Sequence, residues 1–118
     1  RPLWDILQKK KHRNYKAVKR AYDVYVYRLA KKIASLTVPL GGLDALVFTA
    51  GIGESAWYLR RDICAQLAHL NLKLDPTKNK KTVKGLSGLI NKPRTVSVVV
   101  MPTNEELKIA RETVSALK

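Results

Sequence analysis

Between Arg13 and Leu36 the apolar positions Val18, Tyr22, Tyr25, Leu29, Ile33 and Leu36 recur every three or four residues, the spacing of one helix face. Lys16, Lys19, Arg20, Arg28, Lys31 and Lys32 fall mainly between them. The pattern predicts a long amphipathic helix with a cationic outer side. Tyr22, Tyr25 and Tyr27 could offer a stacking surface, but aromatics at this spacing more often make core or interface contacts. Pro39-Leu40-Gly41-Gly42 should break the helix and open a turn.

Beyond that turn, "LDALVFTA" (Leu43 to Ala50) is a short apolar run flanked by glycines and reads as a buried strand. "SAWYLRRDICAQLAHLNL" returns to the helical period, with Trp57, Ile63, Leu67 and Leu70 as inward positions. Asp75 to Lys84 is polar, lysine-rich and carries Pro76, so it is expected as a loop. "GLSGLI" suits a short edge strand. "TVSVVVMP" (Thr95 to Pro102) is β-branched and closed by proline, a second buried strand. From Asn104 to Leu117, the positions Leu107, Ala110, Val114 and Leu117 mark a closing helix. Helices alternating with strands argue for α/β construction with the main strands parallel. So few strands do not complete a doubly wound sheet, and the missing ones are expected upstream.

The length, 118 residues, suits one domain with a moderate core. The first residue is Arg1 rather than Met, which suggests a piece of a longer chain. Neither a signal-peptide pattern nor an apolar run of about 18 residues is present, so no membrane partner is expected. A single cysteine, Cys64, cannot form an internal disulfide, and a reducing cytoplasmic setting is the expected one.

Charge changes the picture most. Lys and Arg total 23 against 9 acids, a formal net of +14. Residues 1–40 hold 11 of the basic and 2 of the acidic side chains, a net of +9 that leaves +5 to residues 41–118. Such a balance suits nucleic acid or a phosphorylated substrate. Since no RNA-binding aromatic signature, zinc-type Cys/His spacing or arginine-rich repeat accompanies it, a solvated basic face is the commoner meaning.

Candidate chemistry sits where the two strands end, because ligands of open parallel sheets bind beyond the carboxyl ends of the strands. In "TAGIGES", Gly51 and Gly53 permit positive φ and leave the backbone open to a ligand. Ser55 can cap the next helix, whose free N–H groups favour an anion. The motif lacks the lysine of a P-loop, and a tight capped turn explains it equally well. In "PTNEEL", Thr103 and Glu106 match a capping box. Glu105 is not needed for that, and its carboxylate could reach a magnesium ion directly or through water. His12 lies in a basic run, and His69 is expected at a helix surface or partly buried. Arg60 and Arg61 lie past the anion-binding first turn, so they read as structural or surface charges. Cys64 reads as core.

These blocks carry a resemblance. "LDALVFTAGIGES", then "LRRDIC", "LKLDPTKN" and "VVVMPTNEELKIARETV" closely resemble the C-terminal end of acetate kinases. That family shows F-T-(A/G)-G-I-G-E-N after a strand, an Arg about six residues on, a later L-D-x-x-x-N, and P-T-N-E-E-L-x-I-A-x-(D/E)-T. "AYDVYVYRLAKKI" is similar to the family's long helix before the strand. The resemblance covers nearly the whole chain. It implies a cytoplasmic enzyme that reversibly moves the γ-phosphoryl of ATP to acetate, giving acetyl phosphate and ADP, with magnesium. It further implies a ribonuclease H-like fold of the sugar kinase and actin type, with residues 1–118 forming the C-terminal portion of the second such domain. Gly51, Ile52, Gly53, Glu54 and Ser55 would then line the adenine nucleotide pocket, and Glu105 would help hold magnesium. Ser55 departs from the family's Asn: it keeps a hydroxyl but loses the amide's paired donor and acceptor.

No catalytic residue is assigned, because the family's arginines, histidine and aspartate for phosphoryl transfer lie upstream of this region. The isolated chain is therefore expected to be inactive. Propionate kinases share both blocks, so the acyl substrate stays open between acetate and propionate. Two other readings stand beside the enzyme. One is a non-enzymatic basic module that binds nucleic acid through its N-terminal helix, although nucleic acid is not the expected partner. The other is a packing and dimerisation piece, since family members usually form homodimers through their C-terminal domains.

Overall fold

Apolar side chains at spacings of three and four residues make three of the helices, and two β-branched runs make the strands they cover. The computed structural model of the protein describes residues 2–49 and 56–102. A short helix α1 (Pro2–Gln8) leads into the long helix α2 (Tyr15–Leu40), and the chain then forms strand β1 (Ala45–Thr49). Helix α3 (Trp57–Gln66) follows, with a single 3-10 turn at Ala68–Leu70, a short helix α4 (Pro76–Lys81), and strands β2 (Gly88–Leu89) and β3 (Ser97–Met101).

The sheet has the order β1-β3-β2. β1 runs parallel to β3, with Ala45 opposite Ser97 and Thr49 opposite Met101, whereas β2 is antiparallel to β3. The expected main parallel pair and the short edge strand are therefore present, in a small mixed sheet. The inner face carries Phe48, Val98 and Val100, all buried, with Leu46 half-buried. β1 is not the doubly buried strand that its sequence suggests. It lies at the margin of the sheet with β3 on one side, and Val47 on its outer face is 49% exposed.

α2 is longer than expected and rotated relative to the expected stripe. Tyr22, Val26 and Ala30, one turn apart, are buried, while Tyr25 and Leu36 are exposed. α2 packs against α3, where Tyr22 bonds to Asp62, and its buried positions follow the four-residue row. Pro39 falls inside the last turn rather than ending the helix. The helix stops at Gly41, whose φ of 72° is left-handed; Gly42 N–H then closes the end by donating to the Thr37 carbonyl at 2.9 Å.

The expected loop at Asp75–Lys84 is in part helix. Asp75 accepts from the backbone N–H groups of Thr77 (3.0 Å) and Lys78 (3.1 Å), and Pro76 stands at the first helical position. An Asx cap followed by proline is a helix start, and here it outweighs the polar composition. The core gathers these layers around Ile63, Leu67, Leu72, Ile90, Val98 and Val100.

Candidate functional site

Because β1 and β3 are parallel neighbours and their last residues, Thr49 and Met101, are paired, the chain leaves both strands at the same edge of the sheet. Both candidate segments begin there. The residues assigned from sequence to a nucleotide and a metal (Gly51, Ile52, Gly53, Glu54 and Ser55, and Glu105) lie outside the described residues, as does the expected helix from Asn104 to Leu117. What the structure shows is how the elements that carry these segments are held.

The first turn of α3 is anchored from two sides. On one side Trp4 of α1 stacks on Tyr58 with ring centroids 4.6 Å apart, and meets Trp57 edge-on at 5.0 Å. Tyr58 also neighbours Tyr22 of α2 at 6.1 Å. The Tyr22 hydroxyl donates to Asp62 Oδ2 at 2.5 Å, with the Tyr58 carbonyl 3.3 Å away. Burial, then this bond, raises the Tyr22 pKa above its ordinary value.

On the other side is a buried polar clamp. Arg60 is fully buried, and its Nε donates to Asn79 Oδ1 at 2.8 Å. Its Nη2 donates to the backbone carbonyls of Asn79 at 2.6 Å and Thr82 at 2.9 Å. Asn79, also buried, donates in turn from Nδ2 to the Trp57 carbonyl at 2.9 Å. Desolvation lowers the Arg60 pKa to about 10, so the guanidinium stays charged at neutral pH. Its planar set of donors, which reaches at least one side-chain and two backbone oxygens among the described residues, is what makes a buried cation tolerable. Of the two roles expected for Arg60 and Arg61, structural or surface charge, Arg60 takes the first.

Arg61 points outward, pairs with Asp62 at 2.8 Å and lies 5.2 Å from the Trp57 ring centroid, with Lys80 at 4.8 Å. Trp57 forms a wall of an open groove of about 270 Å³ beside α4. Cys64 is buried and its pKa is pushed up to about 12 by burial, against a smaller opposing effect of Arg60, which suits core rather than a nucleophile. His12 accepts the Asn14 N–H on Nδ1 at 3.0 Å, and His69 is exposed. Among the described residues no three His, Cys, Asp or Glu side chains come together as a metal site would need. No helix among them is long and apolar enough to cross a membrane.

A profile of the Acetokinase family matches residues 2–111. The chain belongs to this family. It is 47% identical over 96 residues to the acetate kinase of Thermotoga maritima, covering 80% of this chain and 24% of that protein. To the acetate kinase of Dictyoglomus thermophilum it is 53% identical over 100 residues, covering 84% and 25%. Among solved structures it is similar to the acetate kinase of Entamoeba histolytica, with a TM-score of 0.79 at 37% identity over 94% of this chain and 30% of that one. It is also similar to a propionate kinase of Francisella tularensis, with a TM-score of 0.73 at 35% identity over 93% and 27%. The chain thus spans about a quarter of the length of the curated relatives it matches.

Within this acetokinase-family chain, two of the motif positions now have a physical role. Arg60, five residues after Ser55, is the arginine that follows the glycine motif, the Asn of L-D-x-x-x-N is Asn79, and they hold each other. Sequence reasoning missed that pairing. A usable signal was present, since Arg60 shares the inward face of α3 with Ile63 and Leu67, three and seven residues on. A cation at such a position requires buried acceptors.

Proposed function

We propose that the chain is the nucleotide- and magnesium-facing C-terminal part of an acetate kinase, a phosphotransferase that reversibly moves the γ-phosphoryl group of ATP to acetate and yields acetyl phosphate and ADP. The observation that carries this reading is the paired ending of two parallel strands at Thr49 and Met101. On this view the glycine motif and the acidic motif follow those two strand ends, on the side of the sheet where nucleotides bind on open α/β sheets.

In this reading the backbone of Gly51, Ile52 and Gly53, with Glu54 and Ser55, lines the adenine nucleotide pocket. α3 serves as the rigid floor that the Arg60–Asn79 clamp and the Trp4 stack keep in place. Magnesium takes few protein carboxylates and completes its shell with phosphate oxygens and water, a habit that a single carboxylate, Glu105, satisfies. When bound, the ion neutralises charge on the phosphates. Acceptor-side and transition-state groups belong to the upstream part of the longer enzyme, and the fold is then the end of the second ribonuclease H-like domain. Propionate as the acyl acceptor fits the same arrangement. A buried, unpaired Cys64 suits the cytoplasm, and the exposed apolar side of the sheet suits a homodimer.

The test is a chimera that joins residues 1–118 to the upstream three-quarters of the Thermotoga maritima acetate kinase. ATP-dependent acetyl phosphate should appear in the hydroxamate assay, and Glu105→Ala should lower magnesium-dependent turnover by about 100-fold or more, the scale for losing charge stabilisation of a moving phosphoryl group. A folded chimera that makes no acetyl phosphate, or one indifferent to Glu105→Ala, overturns the assignment. The 118-residue chain alone should make none.

A further inference from the structure

We propose that the outward face of α2 binds single-stranded nucleic acid, its phosphates held by Lys16, Arg20, Arg28 and Lys31 and a base stacked on Tyr27. The inference is independent of the kinase reading. Arg20, Tyr27 and Lys31 follow one another at seven and four residues, which aligns them along one side of the helix. Lys16 lies one turn before Arg20, and Arg28 beside Tyr27. All four cations are exposed, and Tyr27 is 56% exposed. None of the four makes an ion pair with a described residue. Asp23, the one acid on α2, is taken by Lys19 at 2.5 Å. From Lys16 to Lys31 the row is about 22 Å long, enough for several phosphates, and Lys9, Lys10, Lys11 and Arg13 extend the positive field beyond its start.

Other occupants fit less well. A membrane-surface helix needs its apolar stripe free to enter the lipid interface, but Tyr22, Val26 and Ala30 are buried in the core. A second copy of the chain would bring like charges together across the row. A strand of phosphates and bases meets both features, since cations track its backbone and an exposed aromatic ring stacks any base.

The measurement is fluorescence anisotropy of a labelled oligo(dT) of about 16 nucleotides with the 118-residue chain, across a salt series. Four phosphate contacts give a log–log slope of about −2.8. The triple variant Arg20→Gln/Arg28→Gln/Lys31→Gln should reduce its magnitude by about 2. Tyr27→Ala should weaken binding about tenfold at an unchanged slope. Lys73→Gln/Lys80→Gln/Lys84→Gln, which removes the same charge elsewhere, should keep the wild-type slope. Circular dichroism checks that each variant keeps its helix. Equal effects of the two triples would reduce the binding to net charge, and duplex bound as tightly and indifferent to Tyr27→Ala would refute the stacked strand. No oligonucleotide binding, with capture by phosphatidylserine vesicles or a stripe-dependent dimer in its place, overturns the proposal.

Discussion

Arg60 and Asn79 satisfy each other at both ends of the asparagine: Nε of the arginine meets the side-chain oxygen at 2.8 Å and Nη2 meets the backbone carbonyl at 2.6 Å. The same asparagine reaches back to the Trp57 carbonyl, so helix α4 is tied to the first turn of α3 through one buried pair. Replacing Asn79 by Leu leaves Arg60 Nε without its side-chain acceptor in the core and removes the side-chain bond to the Trp57 carbonyl. The expected loss is about 2–4 kcal/mol of unfolding free energy. Arg60→Met should cost less, because it also removes a desolvated charge. The double variant should cost less than the sum of the two by about 1–2 kcal/mol. Urea denaturation of the four proteins measures this, and simple additivity would refute the clamp.

The cap at Asp75 is a separate, smaller contribution. Asp75→Ala should destabilise the protein by about 1 kcal/mol, and Asp75→Asn, which keeps the acceptor oxygen, by only a few tenths. Thermal unfolding distinguishes them. Equal losses would mean that charge, not the hydrogen bonds to Thr77 and Lys78, holds the start of α4.

Cys64 gives the stability a pH dependence whose sign can be worked out. Its ordinary pKa is 9.0, and burial pushes it to about 12 in the folded chain. Between those values the native state keeps a proton that the unfolded chain has lost, so the thiol's contribution is full below pH 9 and declines as pH rises towards 12. The advantage of wild type over Cys64→Ala should therefore shrink by up to about 1.4 kcal/mol per pH unit in that window. Arg60, whose pKa is lowered, acts in the opposite direction but is common to both proteins. Urea unfolding at intervals from pH 8 to pH 10.5 provides the comparison; a constant difference would contradict the buried thiol.

The outer face of the sheet leaves Val47 at 49% and Leu89 at 57% exposure, on a β1 that has β3 on one side. An open edge with apolar side chains invites pairing. Sedimentation velocity of the 118-residue chain should show association that rises with concentration, and Val47→Lys/Leu89→Lys should suppress it. A monodisperse monomer before substitution would count against this face as an interface.

Much of the fold was legible in advance because its signals are local. The period of α2, the β-branched run of β3, the GLSGLI edge strand and the inward placement of Ile63 and Leu67 all appear where expected. The errors have separate causes. Which side of α2 faces inward, with Val26 and Ala30 displacing Tyr25 and Leu36, depends on the elements packed against it. Asp75–Pro76 carries a cap signal that the loop reading, led by the lysines after it, passed over. The site was legible only in part. The candidate residues, Gly51 to Ser55 and Glu105, were singled out from the strand endings and from resemblance and lie outside the described residues, whereas the Arg60–Asn79 pairing, which ties α4 to the first turn of α3, is seen only in the structure.

Periodicity, caps and turn residues act over a few positions, so the chain's own order of residues determined which segments are helices and strands and which motifs terminate them. Partnership is decided across distance. That β1 and β3 end side by side, that Arg60 finds Asn79 nineteen residues away, and that the cations of α2 form a row facing solvent follow from packing that buries apolar area and partners the buried polar side chains of the described residues together. No local stretch contains that information, because it is a property of all the elements closing on one core.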